Sequence, residues 1–344
     1  MDWTASGITN YFEYELVGTV PPFGTVGNLK GVTGGKIVRK VDASYRQSMS
    51  LEVDGTEPTA AAMVRVWHTA VLDGETVREC LGTFMLDGSN MDYGAGRYHG
   101  SKSYQSTLLR LGTDKRGNNR LIGKGTNVLA LAASIVTASG GTFSADPSLD
   151  TAKAFAADHV WEFGESALDE LQRCADALGA TIGVDPYGSV TMTPYLQPAQ
   201  RAWSWMLTTD AVMEGLQRGD PDIFNIVHVD YSPSGSQTHQ FASSRLEDGQ
   251  AWAKGTIGRW AARTYKVTEL AANSVQAQAD RYMAQADTGH TWSLQAPYIP
   301  LEVGSRGTLV YMDGGEGVVH ECTIQSIEID LDTAMTMALV LKEV

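Results

Sequence analysis

Alternation of apolar and polar residues, cut at short intervals by Asp-Gly, commits the first third of this chain to antiparallel strands. From Met49 to Asp54 the apolar Met49, Leu51 and Val53 fall on one face and Ser50, Glu52 and Asp54 on the other, the period of a half-buried strand. Asp-Gly stands at Asp54-Gly55, Asp73-Gly74 and Asp87-Gly88. The dipeptide accepts the left-handed backbone of a tight hairpin turn, so each occurrence is read as a reversal between strands. Val64 to Leu86 reads as one long hairpin turning at Asp73-Gly74.

Near residue 115 the pattern changes. "TDKRGNNRLIGKGTN" gathers charge, Asn and Gly with hardly an apolar residue, the composition of a linker or exposed loop. "NVLALAASIVTASGG" then predicts a helix stopped by paired glycines. A second helix follows in "FGESALDELQRCADALGA", where Leu168, Leu171, Ala175 and Leu178 repeat at three, four and three residues. Ser166 can cap its start with Asp169 three residues on, and Gly179 can close its end. Asp185-Pro186-Tyr187-Gly188 places Asp, Pro and Gly where a type I turn favours them, between the strand-like runs "ATIGV" and "SVTMTPY".

The last third returns to strands. In "FNIVHVDY", Phe224, Ile226, His228 and Asp230 alternate against Asn225, Val227 and Val229. One more helix is expected from Val275, Ala279, Tyr282 and Ala286, with Asn273 as its cap. Beyond Gly307 the apolar parity flips, from Val318, Cys322 and Ile324 to Ile327, Ile329 and Leu331. Either a one-residue bulge near Gln325 or Ser326 or two separate strands accounts for this. Met335, Met337, Leu339 and Leu341 mark a final strand whose methionines read as core.

A length of 344 residues suits two or three domains. With 43% hydrophobic and 19% charged residues the chain reads as soluble and globular, and no run nears the roughly 18 to 20 apolar residues of a membrane helix. No membrane insertion is expected. The N-terminus "MDWTASGITNYFEYEL" carries no basic flank and no apolar signal core, so assembly in the cytoplasm is expected. A net charge of −14, from 26 bases against 40 acids without any basic run, argues against duplex nucleic-acid binding. The three cysteines, Cys80, Cys174 and Cys322, are odd in number and far apart, and they read as buried thiols.

The chemistry-bearing patterns each fail on a named residue. "GNLKGVTGGK" would need Gly at Lys30 and Ser or Thr at Ile37 to cradle a phosphate, so it reads as a flexible loop. "GKGTNV" from Gly123 lacks the third glycine of a dinucleotide fingerprint. Seven histidines include no pair three to five apart, and His68, His228 and His320 read as strand residues. Gly164-Glu165-Ser166-Ala167-Leu168 is no nucleophile elbow, because Ser166 serves better as a helix cap. Asp313 with Glu316, and Asp330 with Asp332, could hold a calcium ion or act as an acid/base pair, but lack calcium-loop spacing and read as a turn and a solvated strand face. No catalytic, cofactor or metal residue is therefore expected, and the chain reads as a structural protein. Trp203 and Trp205, read as sharing one face of "AWSWM", suit core or a protein interface, and otherwise a sugar-binding groove.

Residues 161–195, "WEFGESALDELQRCADALGATIGVDPYGSVTMTPY", join an aromatic lead-in, a capped helix ending in Leu-Gly-Ala, a strand, an Asp-Pro-x-Gly turn, a second strand and a Pro-Tyr exit. This block resembles the central α/β unit of bacteriophage tail-tip and baseplate hub proteins, and the β-rich segments before and after it agree with that family. The resemblance implies a mainly β, α+β fold: two tail-tube-like antiparallel β-barrel domains, at 1–115 and 201–344, flank an α/β unit at 116–200, with a helix near 273–287. It implies a homotrimer at the tail tip of a virion, assembled in the host cytoplasm. The expected partners are a distal tail or tail-tube protein, a tape measure protein, and tip fibre or receptor-binding proteins, with DNA only passing through the lumen. Some relatives carry a wall-degrading domain after the strands; here the strands run to Val344, and no such activity is expected. The alternative readings are a carbohydrate-binding tail module recognising the host wall through the tryptophans, and a hydrolase built on the scattered carboxylates.

Overall fold

A computed structural model describes residues 1–55, 62–94, 97–208, 214–219, 224–233, 238–250, 253–268, 270, 274–284, 289–313 and 316–344. The N-terminal strands are β1 (Thr9–Gly18), β2 (Thr25–Asn28), β3 (Val32–Lys40), β4 (Gln47–Gly55), β5 (Ala62–Leu72), β6 (Glu75–Gly94) and β7 (Arg97–Ser106). The middle of the chain holds α1 (Leu108–Thr113), β8 (Arg120–Ile122), α2 (Val128–Ala138), β9 (Phe143–Ala145), β10 (His159–Trp161), α3 (Ala167–Leu178), β11 (Ala180–Val184) and β12 (Val190–Pro194). There follow β13 (Trp203–Leu207), β14 (Glu214–Gly219), β15 (Ile226–Tyr231), β16 (Gln240–Arg245), α4 (Lys254–Ile257), β17 (Ala262–Val267) and α5 (Val275–Ala284). The chain ends in β18 (Thr291–Pro297), β19 (Arg306–Asp313), β20 (Glu316–Asp330) and β21 (Thr336–Glu343).

Mainly antiparallel β structure is what forms, as the alternation demands. Both β-rich ends of the chain join in one 13-stranded sheet, ordered β14-β18-β21-β20-β3-β4-β7-β6-β5-β1-β2, with β19 on β20 and β13 on β19. The join is β3 against β20, from Lys36 opposite Asp330 to Lys40 opposite Ser326. The described strands form an open path and not a closed barrel. One continuous core lies against this sheet, drawn from both ends of the chain: Ile37, Met49, Leu51 and Tyr104 from the first, Ile327, Met337, Leu339 and Leu341 from the last. Each such side chain, fully buried, contributes about 1.5–3 kcal/mol.

Asp-Gly has three different fates. At Asp73 and Gly74 both φ angles are positive, 49° and 86°, and the dipeptide turns the β5–β6 hairpin with Leu72 opposite Glu75. Asp54-Gly55 makes no hairpin, since β4 pairs with β3 and β7 and not with β5. Asp87-Gly88 lies inside β6, where the register against β7 slips between Leu86 and Gly88. There the glycine serves a bulge rather than a reversal. The glycine-rich run predicted as a flexible loop is largely strand as well. Gly35 lies in β3, and a Cβ there would come 2.3 Å from the Ser50 carbonyl oxygen, so the glycine permits close strand approach.

In the last third the bulge reading holds. β20 is a single strand of 15 residues whose register against β21 slips between Ile324 and Ser326, which flips the buried parity. Met335, Met337, Leu339 and Leu341 are all core.

Three smaller cores stand apart among the described residues, one of them only Val17, Phe23 and Met63 with Met85 against them, and the other two larger. The first of these two, from Leu108 to Met192, packs α1, α2 and α3 against the sheet β11-β12-β9 and includes Leu171, Cys174, Ala175 and Met192. The loop near residue 115 is tied into this unit: Lys115 bridges to Ser166, and β8 pairs with β10. The second, around Val227, Val229 and Ala279, lies between α5 and the sheet β16-β15-β17. Here Ser274 accepts from the Ala277 amide at 3.1 Å and so caps α5. Asn273 and Ala286, named for this helix from the sequence, lie outside the described residues.

Candidate functional site

The α/β unit meets the large sheet through the Asp185–Gly188 turn and through β11, whose Ile182 and Val184 carbonyls accept from Arg46 and Gln47, while Arg110 of α1 donates to the Thr19 carbonyl at 2.7 Å. Asp185 accepts from the Gly188 amide at 3.0 Å, and its carboxylate accepts from the Ser189 amide at 2.8 Å, which closes the type I turn expected of Asp-Pro-Tyr-Gly. The turn joins β11 and β12 and presents its carbonyls to side chains of the sheet. Thr83 donates to the Pro186 carbonyl at 2.8 Å, and Cys80 to the same oxygen at 3.3 Å. Thr107 donates to the Gly188 carbonyl at 2.9 Å, and Arg46 to the Ile182 carbonyl at 3.1 Å. Burial pulls the Arg46 guanidinium below its usual pKa. Net hydrogen bonds of about 0.5–1.5 kcal/mol each, made together, fix the unit in one orientation. Gly188 has φ +93°, a backbone that residues with a Cβ rarely adopt, and a Cβ there would come 3.0 Å from Thr107 and 3.3 Å from Thr83, closer than ordinary contact.

Inside the unit, α3 is built as its sequence predicts, with a reciprocal capping box between Ser166 and Asp169 and Gly179 left-handed at φ 62°. What the apolar spacing misses is Glu170, which is fully buried on the packed face of α3. Its carboxylate meets His159 Nε2 at 2.8 Å and is also paired with Arg173, which reaches Glu165 at 3.3 Å. The Phe155 ring covers His159 at 4.6 Å. An acid on the stripe that carries Ala167, Leu171 and Cys174 is a readable signal for such a buried network.

The other residues singled out from the sequence are dispersed. His68, His228 and His320 are strand residues, as expected. His68 is buried between Glu79 at 3.0 Å and Asn10 at 2.9 Å; His228 meets Ser243 at 2.6 Å, and His320 meets Glu343 at 2.7 Å. Asp330 accepts from Thr336 at 2.7 Å, while Asp332 accepts the Ala334 and Met335 amides of the last turn. Both carboxylates thus hold strand ends. The side chains of Asp313 and Glu316 lie outside the described residues. Among the described residues no group of three or more His, Cys, Asp or Glu is gathered as a metal site. All three cysteines are free, with Cys174 and Cys322 buried and Cys80 half-buried.

Trp203 and Trp205 do not share a face. The register of β13 against β19 slips between them, so that Trp203 is opposite Arg306 and Trp205 opposite Gly307. Trp203 is exposed under the Arg306 guanidinium at 4.5 Å, whereas Trp205 packs toward the main core. Among the described residues no helix is long and apolar enough to cross a membrane.

An open antiparallel sheet built from both ends of the chain, with an α/β unit latched onto it, is a fold found in phage tail proteins. The chain is similar in structure to the 43 kDa tail protein of prophage MuSo2 from Shewanella oneidensis, with a TM-score of 0.65 at 17% identity, over 96% of this chain and 97% of that one. It is similar to the tail protein from Neisseria meningitidis MC58, with a TM-score of 0.64 at 14% identity over 96% of each chain. Prophage tail protein gp18 from Listeria monocytogenes EGD-e aligns with a TM-score of 0.57 at 10% identity, over 95% of this chain and 94% of that one. No family model matches the chain, and no curated protein sequence does. The likeness first read from residues 161–195 thus extends, as fold, over nearly the whole molecule.

Proposed function

We propose that this chain is a structural protein of a phage tail, a hub at the tail tip or baseplate that continues the tail tube and anchors the tip proteins. The observation that carries this reading is the mutual coverage of 96% and 97% with a prophage tail protein at a TM-score of 0.65. In this reading residues 1–115 and 201–344 each supply a tube-like β domain. Their side-by-side pairing through β3 and β20 suits a trimer in which three chains complete a ring of six such units. The α/β unit of 116–200 would stand outside the ring. Tube, tape measure and fibre proteins are the partners, and DNA passes through without being held, in keeping with the net charge of −14.

Light scattering on the purified chain tests the trimer, with three times the single-chain mass expected, and antibody labelling of particles tests the location at one tail end. A stable monomer absent from purified virions would sink the proposal. The wall-glycan alternative is less favoured, because the bulge in β13 separates the two tryptophans that would form its platform. The hydrolase alternative is less favoured because Asp330 and Asp332 are engaged in strand-end bonds.

A further inference from the structure

A cleft of about 400 Å³ opens between the α/β unit and the β15–β17 unit, and it is lined by two sheet edges. β17 pairs with β15 on one side only among the described residues, and Tyr265 to Thr268 form that wall of the cleft. Opposite, Ala180 and Thr181 belong to β11, the outer strand of its own sheet. An outer strand presents main-chain N–H and C=O groups without strand partners, a template for an added extended segment. The wall from Tyr265 to Thr268 spans about 13 Å at about 3.3 Å per residue, room for about four residues of such a segment.

The charges in the cleft are unequal in what they already do. Asp169 is consumed by the cap of α3, with the Ser166 amide at 2.9 Å and hydroxyl at 2.7 Å, and Asp176 accepts from Gln172 at 3.0 Å. Arg173 is committed to Glu165 and Glu170. Lys266 and Arg281 differ: among the described residues neither is in ion-pair range of a carboxylate. Arg281 acts on Asp176 only at longer range, and its guanidinium lies over the Tyr195 ring at 5.4 Å, which holds it at the cleft. In a chain with 40 acids and 26 bases, two cations outside ion-pair range of any carboxylate, beside a strand edge without a strand partner among the described residues, are a directed feature.

We infer that this cleft takes an extended acidic segment of a partner protein, added as a strand along β17 with its carboxylates on Lys266 and Arg281. Backbone pairing supplies the register; Tyr265 stacks on Tyr282 of α5, so Lys266 lies on the other face of β17, and carboxylates on both faces of the added strand are needed, one for Lys266 and one for Arg281. The inference stands apart from the tail reading, since it uses only this cleft.

The test uses the full chain and a fluorescein-labelled (Thr-Glu-Glu)3 peptide at low salt, which carries carboxylates on both faces of a strand, with (Thr-Lys-Lys)3 and an oligogalacturonate as comparison probes. The acidic peptide should bind, slow amide exchange within Ala262–Val267, and lose at least tenfold in affinity when Lys266→Ala and Arg281→Ala are combined. Unchanged circular dichroism and melting temperature would show that the variant still folds. Absence of binding, equal binding to the double variant, or protection confined to other strands would overturn the inference. Equal, variant-sensitive binding of the oligogalacturonate would overturn its peptide character and assign the cleft to acidic glycans.

Discussion

Thr107 donates its hydroxyl proton to the carbonyl of Gly188 over 2.9 Å, and its methyl lies 3.0 Å from where a Cβ on Gly188 would come. One residue pair therefore joins the α/β unit to the large sheet by both a bond and a steric limit. The Cβ would also come 3.3 Å from Thr83, whose hydroxyl serves the neighbouring carbonyl of the same turn.

Gly188→Ala is expected to cost about 1–3 kcal/mol, because it forces a side chain onto a positive-φ residue and pushes it into Thr107. Denaturant unfolding measures the loss. Limited proteolysis should show faster cutting near the turn than in a control such as Gly117→Ala, where the added Cβ meets nothing within 4 Å. Equal stability of the two variants would mean that the turn does not seat the unit.

Glu170→Ala is expected to destabilise the chain by about 3–5 kcal/mol, the usual cost of removing one partner from a buried charged network. Arg173 would keep Glu165, but His159 would lose the carboxylate at 2.8 Å while still buried under Phe155. Glu170→Gln should cost less, since the amide can still accept from one neighbour. Thermal unfolding of both variants decides it; a loss under about 1 kcal/mol for the Ala variant would contradict the network's role.

How much of this was legible in the sequence depends on how local the determinant is. The α3 cap, the Asp185–Gly188 turn and the β5–β6 hairpin were readable, because each is fixed by residues within a few positions of one another. The β20 bulge was legible for the same reason, since a parity flip is printed in the order of the residues. Asp54-Gly55 and Asp87-Gly88 misled because the same dipeptide also serves a strand end or a bulge, and only the partner strand decides which. Trp203 and Trp205 misled because the slip that separates them is set by β19, a hundred residues away. The β3–β20 join, the Thr83 and Thr107 donors and the cleft between two sheet edges are all long-range, and no periodicity announces them.

Ser166→Ala is expected to cost about 1 kcal/mol, since it removes the acceptor for the Asp169 amide at 3.1 Å while leaving the rest of α3 intact. Ser166→Thr should recover most of it. Urea midpoints of the three proteins check this, and a Thr variant no better than Ala would show that the hydroxyl is not the operative group.

Alkaline pH should destabilise the chain through its buried thiols and phenolic hydroxyls. Burial pushes the Cys80 thiol up to about 11 and Cys322 to about 12, from an ordinary 9.0, and it pushes the Tyr14 and Tyr104 hydroxyls up to about 12 from 10.0. The unfolded chain releases these protons as pH rises through 9 and 10, while the folded chain still holds them. The unfolded state then binds fewer protons, so unfolding is favoured as pH climbs, and the loss runs on until the folded groups titrate near 11 to 12. Melting temperature should be flat between about pH 7 and 8 and fall progressively above about 9. Tyr14→Phe, which keeps the ring and removes the titrating hydroxyl, should make that decline shallower. A melting temperature constant to pH 11 would mean that these hydroxyls and thiols are reached by water in the folded chain.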